Sequence, residues 1–134
     1  MSDSVKPLGY HYFFEFYECS SHKLSLIEPV RKAMLEAAEN SGATIVKDVF
    51  HQFSPQGVSG VVVIEESHLS IHTWPEHGYA AVDFFTCSLK THPKKAMQHL
   101  AKELGSARSE MQYFERGSII AKDLSFNLLF ISNS

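Results

Sequence analysis

Two apolar periods alternate along the chain. Residues 8–18, "LGYHYFFEFYE", form an aromatic-rich run that predicts a strand. Ile27, Val30, Met34 and Ala37 fall at helical spacing, which predicts a helix over roughly Ser25 to Asn40. Pro29 sits in its first turn, and Ser41–Gly42 closes it. "ATIVKDVFHQF" (43–53) reads as a second strand, "SPQG" (54–57) as a turn, and "VSGVVVIEE" (58–66) as a buried strand. In "HLSIHTW" (68–74), Leu69, Ile71 and Thr73 point one way; His68, Ser70, His72 and Trp74 point the other. "PEHG" (75–78) is a turn and "YAAVDFFTC" (79–87) another strand. Ala96, Met97, Leu100, Ala101 and Leu104 mark a second amphipathic helix, from about Thr91 to a stop at Gly105. "SEMQYFE" (109–115) is the last strand. The segment 116–134 contains the apolar run "NLLFIS", to which the pattern gives no role.

Runs of strands with two helices predict an α+β fold: a two-layer sandwich, an antiparallel sheet with both helices on one face. The helices can cover only that face; if both faces carry apolar and aromatic residues, the second needs a partner sheet. Two sheets packing face to face in a dimer would supply it.

The bulk numbers narrow the class. A chain of 134 residues fits a single domain, 1–134. Its 44% hydrophobic share is enough for a core without disulfide help. A net charge of −3 with no basic run argues against nucleic acid and anionic membranes as partners. The start, "MSDSVKPLGYHYFF", lacks a signal-peptide pattern, and no apolar run approaches a membrane span of roughly 20 residues. Cys19 and Cys87 fit neither a disulfide framework nor a zinc spacing. The expectation is a cytoplasmic protein with free thiols.

Several side chains could carry chemistry. His68, His72 and His77 give H-x3-H-x4-H. On a strand, His68 and His72 share a face but lie about 13 Å apart at roughly 3.3 Å per residue. One ion with ligands at about 2.1 Å cannot bridge them, so no metal is expected. His11, His51 and His92 read as ordinary half-buried histidines. Taken singly, Cys87 is a small hydrophobe at a strand end, Ser67 a polar strand end and Trp74 a strand aromatic. Pairing the strands changes this. With "PEHG" as the loop, Trp74 pairs with Tyr79, Ser67 lies opposite Thr86, and Cys87 lies opposite Glu66. The Glu66–Ser67 bond then sits beside a thiol. His72 lies opposite Ala81, about 20 Å along the strand from Cys87, so either a bulge shifts the register or His72 works at a second chain's site.

The stretch Phe50 to Cys87, "FHQFSPQGVSGVVVIEESHLSIHTWPEHGYAAVDFFTC", resembles the bacterial S-adenosylmethionine decarboxylase proenzymes, the small pyruvoyl-dependent type. Looser similarity spans 8–115, including "MLEAAENSGATIV" at 34–46. Glu-Ser-His-Leu, then His-Thr-Trp-Pro-Glu, then Phe-Thr-Cys is specific to that family. The chain departs from its pattern at His77, Phe85 and Ser88 and in the aromatic first strand, and 116–134 lies outside it.

The resemblance implies a protein that makes its own cofactor. The chain would cut itself between Glu66 and Ser67 into a β chain, 1–66, and an α chain, 67–134. Ser67 would become a covalent pyruvoyl group that forms a Schiff base with the substrate amine. That carbonyl acts as the electron sink a decarboxylation needs. Ser59 and His72 match the residues that assist processing, His72 as the base for the Ser67 α-proton. Cys87 matches the proton donor of the decarboxylation. Phe53 and Trp74 match aromatics that stack on adenine, Glu76 the carboxylate for the ribose hydroxyls, and Leu69 a backbone contact near the adenine edge. The product would supply the aminopropyl group for spermidine. The family's dimers, with active sites near the interface, raise a further expectation: Ser59 and His72 serve the Ser67–Cys87 pair of the partner chain. The alternatives are a pyruvoyl-dependent ornithine or arginine decarboxylase on the same scaffold, and a non-processed binding or regulatory homologue.

Overall fold

The structure, a computed structural model, describes residues 6–118. The expected strands and helices form as β1 (Gly9–Tyr17), α2 (Ile27–Asn40), β2 (Ile45–Gln52), β3 (Val58–Ile64), β4 (Ser67–Trp74), β5 (Tyr79–Thr86), α3 (Pro93–Glu103) and β6 (Arg108–Arg116). A four-residue helix, α1 (Ser21–Leu24), precedes α2 and had no periodic signal. It is real because it buries Leu24, whose carbonyl receives the Thr73 hydroxyl at 2.9 Å. The chain then restarts, and α2 begins at Ile27 rather than Ser25.

All strands join one antiparallel sheet in the order β2-β3-β4-β5-β1-β6. The helices cover one face. Phe14, Phe16, Val30, Met34, Val62, Leu69, Ile71, Phe84 and Leu100 form the core between the layers. Burying such side chains is worth about 1.5–3 kcal/mol each, which makes this layer the main source of stability. The α+β two-layer expectation matches this architecture. The helices end by the same device. Gly42 and Gly105 adopt φ of +89° and +67°, and the next amides, Ala43 and Ser106, reach back to the Ala38 and Ala101 carbonyls at 3.1 and 2.9 Å. Glycine reaches that left-handed region without the cost of a Cβ.

Among the described residues no helix is long and apolar enough to cross a membrane. The "NLLFIS" run lies outside the described residues.

The face away from the helices is rich in aromatics. His11 stacks on Phe13 at 4.4 Å, and Tyr79 sits 5.4 Å from both Trp74 and Tyr17. Trp74 is 40% exposed and Phe114 55%, so these rings meet solvent in the single chain.

One glycine is required by close packing. Gly60 pairs with Phe50 across β3 and β2, and the Phe50 ring lies over it. A Cβ at Gly60 would stand 2.0 Å from that ring. Gly60→Ala is therefore expected to cost about 1–3 kcal/mol by overpacking. Urea denaturation checks this, and an unchanged midpoint would mean that the ring moves aside freely.

Candidate active site

The first cluster forms at the β3–β4 turn. β3 ends at Ile64, two residues before the end expected for the buried strand, because Ile64 already pairs with Ser67. Glu65 and Glu66 are thus a two-residue hairpin turn. Such turns favour positive φ, and the sequence offers no glycine there. Glu66 takes φ +64° instead, a conformation that costs a non-glycine residue about 1–2 kcal/mol. The Ser67 hydroxyl hydrogen-bonds the Glu66 carbonyl oxygen.

β5 completes the cluster. Ser67 lies opposite Thr86, as the hairpin register predicts. β5 stops at Thr86, so Cys87 is the first loop residue rather than the last strand residue. Its backbone N–H points at the turn, 3.2 Å from Ser67 Oγ and 3.4 Å from the Glu66 carbonyl oxygen. Its thiol is exposed and free. One peptide bond therefore has a hydroxyl beside its carbonyl, an amide donor facing both oxygens, and a thiol on the donor residue.

The second cluster lies at the other end of β4. The register pairs Ser59 with His72, and Ser59 Oγ meets His72 Nδ1 at 2.8 Å. Phe53, Ser59, His72, Trp74 and Glu76 line one cavity of about 340 Å³, within the size range of small-ligand pockets. The chain after β2 is held in place by Gln52. Its side-chain oxygen accepts the Ile27 N–H at 3.0 Å, and its amide donates to the Ser25 and Gly57 carbonyls at 2.7 and 3.1 Å. Sequence reasoning missed Gln52, because nothing in an isolated polar strand end shows three distant backbone partners. It also missed Tyr79, which packs beside Trp74 and bonds Glu15. Burial, then that hydrogen bond and the nearby charge, pushes the Tyr79 phenol well above its ordinary range, so it stays a neutral donor.

The structure separates the two clusters. Ser67 and His72 are five residues apart on one strand, about 17 Å at strand rise. Leu69 joins neither. Its side chain is fully buried in a central strand, paired with Val62 on one side and Phe84 on the other, so the contact the resemblance implies for Leu69 is one its backbone alone would make.

His68, His72 and His77 do not converge. His68 instead approaches His11 and Asp83, which together have ligand atoms close enough to surround an ion. The hydrogen bonds there favour another reading. The Arg116 guanidinium, which can only donate, lies 3.0 Å from His11 Nδ1. His11 Nε2 then carries the hydrogen it gives Asp83 at 2.7 Å. Neither ring nitrogen has a lone pair left for a metal. His51 pairs with Ser59 and its ring stands 4.7 Å from Phe53, at the edge of the second cluster, while His92 belongs to neither; both are exposed rather than half-buried.

The S-adenosylmethionine decarboxylase family model matches residues 10–117. An S-adenosylmethionine decarboxylase proenzyme of Thermotoga petrophila is 53% identical over 113 residues, covering 84% of this chain and 87% of the relative. A proenzyme of the same description from Thermosipho melanesiensis gives the same identity and coverage. Among solved structures, the crystal structure of the adenosylmethionine decarboxylase from Aquifex aeolicus matches with a TM-score of 0.78 at 35% identity. It covers 87% of this chain and 96% of that one.

Proposed function

Since the chain belongs to the S-adenosylmethionine decarboxylase family, we propose that it acts after cutting itself between Glu66 and Ser67, with Ser67 as the source of a pyruvoyl group. The enzyme removes CO2 from S-adenosylmethionine, and its product carries the aminopropyl group used in spermidine biosynthesis. The observation that carries the cleavage reading is the convergence at Glu66–Ser67: hydroxyl against carbonyl, with the Cys87 N–H facing both.

That geometry suits an acyl shift. Ser67 Oγ attacks the Glu66 carbonyl carbon, and the Cys87 N–H donates to the oxygen as it gains negative charge. Donors placed this way are worth about 2.7–4 kcal/mol in comparable sites. The amide becomes an ester. A base removes the Ser67 α-proton, the Cβ–Oγ bond breaks, and Glu66 leaves as a carboxylate. Water then replaces the nitrogen as ammonia, which leaves a ketone at the new α-chain terminus. The residues present fit such a group, since the Cys87 N–H lies 3.2 Å from Ser67 Oγ and the same residue carries a free, exposed thiol. The carbonyl of that group supplies the electron sink for the pair left behind when CO2 departs. Cys87 returns a proton to the substrate carbon.

The second cluster is the proposed adenosyl site. Phe53 and Trp74 offer faces to adenine and to the sulfonium, an attraction of about 0.5–2 kcal/mol. Glu76 accepts hydrogen bonds from the ribose hydroxyls. His72, held by Ser59, is the base for the Ser67 α-proton. The 17 Å or so between His72 and Ser67 of one chain excludes a direct contact in cis. A two-fold dimer through the aromatic sheet face turns one copy end for end. The Phe53–Ser59–His72–Trp74–Glu76 cluster of one copy then completes the Ser67–Cys87 cluster of the other. That covers the exposed rings as well. A cytoplasmic location accords with the exposed free thiol of Cys87.

Mass measurement of the purified protein tests the cleavage directly. The expected result is two fragments, residues 1–66 ending in a free carboxylate and residues 67–134 lacking a serine amine. An intact chain with serine at 67 would overturn it.

A further inference from the structure

Thr86 is the last residue of β5 and only 2% exposed, a place where a hydroxyl needs partners. It has them. Thr86 Oγ1 accepts the Ser88 N–H at 3.0 Å and lies 3.2 Å from Thr91 Oγ1. Both threonine hydroxyls stand 3.3 Å from the Ser88 carbonyl oxygen. The set closes with either threonine donating to the other and the second donating to the Ser88 carbonyl, and in both arrangements Thr86 accepts from the Ser88 N–H. Ser88 Oγ in turn accepts the Lys90 N–H at 3.0 Å.

A threonine hydroxyl that captures the amide two residues on folds the backbone into a tight turn. The residue in the middle of this turn is Cys87. We infer that the Thr86–Ser88–Thr91 hydroxyl brace is a positioning device that fixes the Cys87 amide and thiol against the Glu66–Ser67 bond. This rests on the cleavage and proton-donor roles proposed above. Beyond the brace, this stretch is held by the Cys87 N–H itself, at 3.4 and 3.2 Å from the Glu66 carbonyl and Ser67 Oγ, and then by His92, bonded to the Ser41 carbonyl at 2.8 Å. Both steps depend on the brace. Cleavage needs the Cys87 N–H aimed at the Glu66 oxygen, and decarboxylation needs the thiol beside the carbon to be protonated. Thr86 and Thr91 touch neither substrate nor the reacting atoms, so they are positioning residues.

Thr86→Val keeps the volume and removes the hydroxyl. Conversion of precursor to fragments, followed by gel after synthesis, is expected to slow about 10- to 100-fold, up to the cost of a misplacement of about 1 Å and short of the loss of the donor itself. In the fraction that matures, kcat should fall while KM stays within about twofold, because the adenosyl cluster is untouched. In a Ser67→Ala background, the rate of Cys87 alkylation at fixed pH should change severalfold, a readout that needs no cofactor. Thr86→Ser should restore all three. If Thr86→Val does not fold, Thr91→Val at its half-buried site takes the same measurements. Wild-type cleavage, turnover and alkylation in these variants, even with a lowered melting temperature, would reduce the brace to a strand stop and overturn the inference. A wild-type chain that stays uncut would overturn the cleavage reading itself, and this role with it.

Discussion

Ser67→Ala is expected to leave one uncut chain with no decarboxylase activity at all. The substitution removes a single oxygen from a half-buried residue at the start of β4, so the fold should survive and the melting temperature should stay close to wild type. What disappears is the hydroxyl that hydrogen-bonds the Glu66 carbonyl. No acyl shift can start, and no ketone can form at residue 67. Activity should fall by the whole catalytic factor rather than by the factor of about 10² to 10⁴ typical of losing one acid or base. Gel mobility gives the first readout, and CO2 release from S-adenosylmethionine gives the second. A cut Ser67→Ala chain would place the cleavage elsewhere and would dissolve the assignment of Glu66–Ser67.

His72→Ala should also stay uncut, but its defect should be curable by mixing. The two clusters of one chain are too far apart to act together, so each His72 is assigned to the partner's Ser67. A His72→Ala chain still has Ser67, and a Ser67→Ala chain still has His72. Neither variant should process alone. Co-expressed, or unfolded together and refolded, they should form hybrid dimers with one complete site. The His72→Ala chain should then be cut, and the Ser67→Ala chain should not. About half of the dimers formed by random pairing of equal amounts are hybrids, so the cut fraction should approach a quarter of all chains. Cleavage restricted to His72→Ala chains identifies in trans supply. No cleavage in the mixture, with hybrid dimers demonstrated by size, would overturn it.

The local pattern was enough for most of the frame. Alternation placed Leu69, Ile71 and Thr73 toward the core and His72 and Trp74 toward solvent, as found. The loop "PEHG" fixed the β4–β5 register, and the register alone brought Ser67 opposite Thr86. Three features escaped for physical reasons. The Glu65–Glu66 turn was read as strand because no glycine or asparagine marks it; the chain accepts a left-handed glutamate there. The helix Ser21–Leu24 is too short for a 3.6-residue period to register and exists through tertiary contact. The brace around Cys87 depends on hydroxyls meeting across a loop, and serine and threonine carry no spacing signal for that. The proposed adenosyl cluster was legible only through resemblance, since Phe53 and Ser59 reach Trp74 by a β2–β3 return that periodicity does not place.

The strand order has a consequence for what cleavage does to the molecule. Cutting after Glu66 gives β1, β2 and β3 to one piece and β4, β5 and β6 to the other. In the sheet, the pieces alternate: β2 and β3 from the first, β4 and β5 from the second, β1 from the first, β6 from the second. The β3–β4, β5–β1 and β1–β6 ladders all bridge the two polypeptides. They are dovetailed like the fingers of two hands, so neither can slide away without tearing the sheet apart. The proposed cut would thus sever the backbone at the candidate catalytic centre and cost the sheet almost no mechanical integrity.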